Sequence, residues 1–236
     1  MATATQPFLD FPSQTHQGAP DISTSSHLLA ALRKSALPTD PSSGLVVLSG
    51  HSAAYRLGIC AAVAHALAGE PMLYLAGANV FDPFLVGRLA KSARVAPARV
   101  LQRIHVSRAF TCHQMVRLIT DCLPSALQTY DARVVILSGP LETLYDQSVP
   151  EQEALRLFRT MLSALQRLVQ DGVQLVCVSP LPAMAPASRR GFLPALRTQA
   201  HRAIDVHEGE DGIWLDERSG AGMRRWDIPR SVWTRL

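Results

Sequence analysis

The chain has 236 residues, 47% of them hydrophobic and 18% charged, with a formal net charge of +4. Such a length and apolar share suit one α/β domain with a full core and require no second domain. No run of about 18 uncharged apolar residues occurs, which excludes a membrane-spanning helix, and the mild basic excess permits nucleic acid as a partner without demanding it.

The basic residues are almost all arginine, with only Lys34 and Lys91 as lysines; genomic base composition explains that bias as readily as phosphate binding does. Cys60, Cys112, Cys122 and Cys177 form no C-x-x-C pair and lie in or beside apolar runs. They read as reduced thiols of a cytosolic protein, and the Cys112-His113 to Cys122 spacing matches no zinc pattern. The first residues, Met1 to Gln6, have neither a basic nor a long apolar region, so the expected location is inside the cell.

Residues 1–25 are rich in Pro, Ser, Thr, Gln and Gly and read as a flexible arm, with the remainder, 26–236, as one core domain ending in a basic tail. Phe8 and Phe11 of the arm either dock on a neighbour or pack on the parent domain. His27 to Leu37 has the spacing of a short amphipathic helix, and Pro38 to Gly44 turns the chain into its first core strand. That strand, Gly44 to Gly50, is a buried apolar run followed by a small-residue turn and an alanine-rich helix to Ala66.

A strand, loop and helix in this order is the frame of a phosphate-binding loop, in which glycines let backbone N–H groups approach phosphate, a lysine follows, and a hydroxyl holds magnesium. Laid on G-x-x-x-x-G-K-[ST], the chain keeps Gly50 but has Tyr55, Arg56 and Leu57 where the motif has glycine, lysine and serine or threonine. Gly50, Ser52 and Arg56 are the residues left to meet a phosphate. Tyr55 puts a ring where backbone should wrap, and Leu57 offers no metal ligand, so a filled, structural loop is the favoured reading.

Met72 to Ala76 is the second expected strand, followed by a helix through Leu85, Leu89 and Ala90 and a short turn at Pro97 to Leu101. Ile104 to Ala109 is the third strand, His113 to Tyr130 a helix despite Pro124, and Arg133 to Leu137 the fourth strand. Glu151 to Gln170 is the longest helix, with Leu155, Phe158, Leu162, Leu165 and Val169 at helical spacing, and Val173 to Val178 is strand five. Pro180 to Pro194 reads as a long loop, Ala203 to His207 with Ile213 to Asp216 as an antiparallel hairpin at the sheet edge, and the rest as a tail carrying Trp226, Trp233 and five arginines. Strands alternating with helices predict a parallel, twisted sheet covered on both faces.

The string Ile104-His105-Val106-Ser107-Arg108-Ala109-Phe110-Thr111, then His113-Gln114-Met115, resembles the core of the RecA/RadA recombinases, and Phe81-Asp82-Pro83 resembles that family's turn after its second strand. The likeness covers roughly residues 40 to 220. It implies a RecA-like P-loop NTPase fold, mainly parallel with a C-terminal antiparallel hairpin. It also implies that Ala78 stands where the family has its water-activating glutamate, and Ser138 where it has the aspartate of the magnesium shell. With the altered phosphate loop, three parts of the hydrolytic apparatus lack a principal residue.

The resemblance therefore implies a non-catalytic accessory of DNA recombination and repair at the chromosome, not an enzyme. It would use no cofactor beyond, at most, a residually bound ATP. Its partners would be DNA bound without sequence preference, an active recombinase or paralogue, or both, with no membrane partner. By position, the family's second DNA loop corresponds to Pro180 to Arg197, where Arg189, Arg190 and Arg197 either neutralise phosphates or form a solvated basic surface. Trp226 and Trp233 of the tail either stack on bases or close the core. The alternatives are an interaction protein of a bacterial damage response, similar to the recombinase-like ImuA and SulA proteins, and a weak ATPase.

Overall fold

A computed structural model describes residues 44–77, 80–180, 185–219 and 222–234. The expected arm at 1–25, the helix His27 to Leu37, Ala78, the part of the second loop at 181–184 and Arg235 lie outside the described residues.

Five apolar runs bounded by turn residues become the strands Leu45–Gly50 (β1), Met72–Ala76 (β2), Ile104–Arg108 (β3), Val134–Ser138 (β4) and Gln174–Val178 (β5). Arg202–Gly209 (β6), Gly212–Ser219 (β7) and Gly222–Pro229 (β8) complete one sheet in the order β3-β2-β4-β5-β1-β6-β7-β8. Neighbours from β3 to β6 are parallel, and β6-β7 and β7-β8 are antiparallel. The expected hairpin is present but does not lie at the edge. β6 pairs with β1 inside the sheet, and the stretch read as a tail supplies the edge strand β8. The arginine content of Gly222–Pro229 hides a strand whose charges are met across the ladder, where Arg225 forks onto Asp216 at 2.7 and 2.9 Å.

Helix Ala53–Ala68 (α1) is alanine-rich and buried almost all round, as expected of a helix pressed between a sheet and further helices. Gly69, at φ 95°, ends it in the left-handed conformation that a side chain would resist. Pro83–Ser92 (α2) and Pro97–Leu101 (α3) cover the same sheet face. Asp82 caps α2 by accepting from the N–H groups of Phe84 and Leu85 at 2.8 and 3.0 Å.

On the other face lie Cys112–Arg117 (α4), Leu123–Thr129 (α5), Glu151–Gln170 (α6) and Phe192–Thr198 (α7). The single helix expected over 113–130 is broken by a π-helical turn at Leu118–Cys122, just before Pro124, whose missing N–H cannot continue the ordinary ladder. In α6 the buried stripe runs through Ala154, Leu157, Phe158, Met161, Leu165 and Leu168, which leaves Leu155 on the exposed side. Part of the expected long loop is helical as well: α7 holds Pro194 in its first turn, where a missing N–H costs nothing. Arg230–Trp233 (α8) closes the chain's described part, with Trp233 buried and Trp226 half-buried against the core, so both tail tryptophans pack inward.

Candidate functional site

In open α/β sheets ligands meet the crevice at the carboxyl ends of the strands, where successive connections leave toward opposite faces. Here α1 leaves β1 toward one face, while the connections after β4 and β5 lead to α6 and α7 on the other. The candidate site is thus the region of Gly50 to Arg56, Ser138 to Glu142 and Ser179.

Only His51 and Ser52 separate β1 from α1, so Tyr55, at the motif's second glycine, already lies in the first helical turn. Three backbone donors of this turn have partners within the chain. His51 N–H donates to Val206 O at 2.7 Å, Ala54 N–H to His51 O at 3.0 Å and Tyr55 N–H to Ser52 O at 3.0 Å. His51 Nδ1 lies 2.8 Å from Glu208 Oε2 and 3.2 Å from Ala53 N, and as a single nitrogen it either donates to the carboxylate or accepts from the amide. A phosphate arriving here would have to displace these bonds.

The two side chains that break the motif are also engaged. Tyr55 Oη donates to Glu142 Oε1 at 2.5 Å, bridging α1 to the turn after β4. Arg56 lies over the Trp233 ring, 4.5 Å from its centroid, and donates to the Trp233 carbonyl at 3.5 Å. Ser52 is exposed and makes no capping bond. Under this cover the Tyr74 and Ser138 hydroxyls are buried side by side, and Glu142 Oε2 is buried without a hydrogen-bond partner.

Burial raises the Glu142 carboxyl above its ordinary value of 4.5, against the opposing effect of the Tyr55 bond, and burial beside Glu142 raises the Tyr55 phenol. A carboxyl raised in the folded state binds its proton more firmly there than in the unfolded chain. Its contribution to stability is whole below the unfolded value and is lost as pH climbs through the folded one. Glu142→Gln should therefore flatten the fall in stability above pH 4.5 and leave the protein more stable than the wild type at neutral pH. Denaturant titrations of both proteins from pH 4 to 8 measure the difference, and parallel profiles would remove Glu142 as its source.

The three arginines expected to face phosphate are separated by the fold. Arg189 is not a surface group. It is 3% exposed and donates to the carbonyls of Leu144 at 2.6 Å, Asp146 at 2.5 Å and Val149, pinning the turn after β4. Arg197 forks onto Asp205, with 2.9 Å between Nη2 and Oδ2, and also donates to Ser49 Oγ, tying α7 to β1 and β6. Arg190 alone of the three is exposed. Sequence reasoning misses the Tyr55–Glu142 bridge because the partners stand 87 positions apart. Tyr55 at a glycine position was the only local sign of it.

Cys60, Cys112 and Cys177 are buried and Cys122 half-buried, all as free thiols, and burial pushes Cys60 up to about 12. Among the described residues no helix is long and apolar enough to cross a membrane. No family model and no curated protein matches the chain.

Proposed function

We propose that the chain is a non-catalytic, RecA/RadA-like accessory of DNA recombination and repair, which binds DNA, an active recombinase, or both, and acts at the chromosome without turning over ATP. The observation that carries this reading is the engaged turn after β1. The backbone N–H groups of His51, Ala54 and Tyr55 are bonded to the chain's own acceptors, Tyr55 is locked to Glu142 and Arg56 is covered by Trp233. A scaffold that keeps the strand, turn and helix of a nucleotide site while filling it with its own groups retains its shape for surface contacts. The eight-stranded, mainly parallel sheet with its C-terminal antiparallel strands also accords with the resemblance in Arg108-Ala109-Phe110-Thr111 and His113-Gln114-Met115.

The test is to immobilise the chain and challenge it separately with a purified RecA-type recombinase and with DNA oligonucleotides. Saturable retention of either one is expected. Retention of neither, with a polymerase or division protein captured instead, would replace this reading with that of an ImuA- or SulA-like interaction protein.

A further inference from the structure

Of the chain's 23 lysines and arginines, seven fall between Pro83 and Arg117, a stretch that contains none of its 19 carboxylates. The rest of the chain is therefore slightly acidic, and the whole of the net positive charge belongs to α2, α3, β3 and α4. These elements are contiguous in space: α2 packs on α3, α3 leads into β3, and β3 is the edge strand of the sheet. Arg88, Arg94, Arg99, Arg108 and Arg117 are exposed.

The same segment holds two aromatic rings in solvent. Phe84 is 79% exposed and Phe110 72%, and no other phenylalanine, tyrosine or tryptophan is exposed among the described residues. Phe84 opens α2 after β2, and Phe110 follows β3. Ala76 and Arg108 are paired in register at the ends of those two parallel strands, so both rings lie toward the carboxyl ends of β2 and β3, Phe84 on α2 over one face and Phe110 at the start of the connection to α4 on the other. Both are held on fixed backbone: Phe84 N–H donates to Asp82 Oδ1 at 2.8 Å and Phe110 N–H to Gln114 Oε1 at 2.8 Å. Arg88 stands one helical turn beyond Phe84 on α2, whose ten residues extend the basic surface by about 15 Å. The acidic groups nearby are few. Asp82 lies 3.7 Å from Arg88, and Glu153 is bonded to His113 at 2.8 Å.

We propose that this β3 edge, with Phe84 and Phe110 as stacking platforms and Arg88, Arg94, Arg99 and Arg108 as phosphate contacts, is a binding surface for single-stranded DNA. The inference rests on the DNA-binding branch of the reading above and moves the contact from the loop after β5, in the middle of the sheet, to its β3 edge. Guanidinium groups attract any polyanion, and ring faces left open beside them can stack on unpaired bases. That combination selects a single strand over a duplex and predicts little sequence preference.

Fluorescence anisotropy of a labelled deoxythymidine oligomer and of a duplex of equal length, at two salt concentrations, tests the proposal on the full chain. The wild type should prefer the single strand, with affinity falling steeply as salt rises. Phe84→Ala with Phe110→Ala should weaken single-strand binding about tenfold or more while leaving the salt dependence in place. Arg94→Glu with Arg99→Glu should weaken it and flatten the salt dependence. These side chains are exposed, so thermal melting should be unchanged, and Arg108→Ala gives a milder third variant. Single-strand binding that survives all three variants but is lost in Arg190→Ala overturns the inference and leaves DNA binding intact. A wild type that retains recombinase but no DNA overturns the inference and leaves the protein-partner branch standing, and one that retains neither removes both.

Discussion

Replacing Arg189 with alanine should destabilise the fold by about 3 to 5 kcal/mol, with the melting temperature falling well before any ligand is added. The guanidinium is buried and spans three carbonyls, those of Leu144, Asp146 and Val149, which lie 40 to 45 positions earlier in the chain. Truncation removes the Arg189 donors from the Leu144 and Val149 carbonyls, leaves the Asp146 carbonyl only the Val149 N–H at 3.2 Å, and frees the turn that carries Glu142. Arg189→Lys should not restore the loss, because a single ammonium on a flexible stem cannot occupy three divergent carbonyls as a planar fork does. Chemical denaturation of the two variants against the wild type decides the point. If Arg189→Ala kept full stability and lost only affinity for DNA, the side chain would belong to a phosphate contact after all.

Gly50→Ala should cost about 3 kcal/mol or more for two reasons that add at one backbone position. Gly50 holds φ at 102°, where an L side chain is strained, and an added Cβ would fall 2.3 Å from the Val206 carbonyl of β6. That carbonyl also accepts the His51 N–H, so displacing it would disturb the turn that leads into α1. The one glycine retained from the phosphate-loop motif thus has a structural duty, the close approach of β1 to β6. The measurement is again equilibrium unfolding. A variant as stable as the wild type would mean that the turn is free to rearrange, as a ligand-binding loop must be.

The sheet's interior was legible in the sequence because β1 to β5 are short apolar runs between turn residues, and their ends moved by no more than a residue or so on folding. β8 was not, because Met223-Arg224-Arg225-Trp226-Asp227 reads as a charged tail until Asp216 of β7 is placed opposite Arg225. The departure from the phosphate-loop motif at Tyr55, Arg56 and Leu57 was equally plain. What replaced the motif was not, since Glu142 and Trp233 are distant along the chain and meet Tyr55 and Arg56 only in the fold. Arginine is the residue whose role is least readable locally. Arg189, Arg190 and Arg197 are near neighbours in sequence, yet one is a buried pin, one is exposed and one is a buttress between α7 and β6. The acid-free stretch from Pro83 to Arg117 is visible in the sequence, but only the order of strands makes it one edge of the molecule.

Titration calorimetry of the full chain with magnesium ATP is the most direct measure of whether the turn after β1 is occupied by the protein's own groups. The account predicts no saturable binding up to about millimolar nucleotide, a free energy too small to displace three backbone hydrogen bonds and the Tyr55–Glu142 bridge. Saturable binding in the micromolar range that disappears in Arg56→Ala would contradict it.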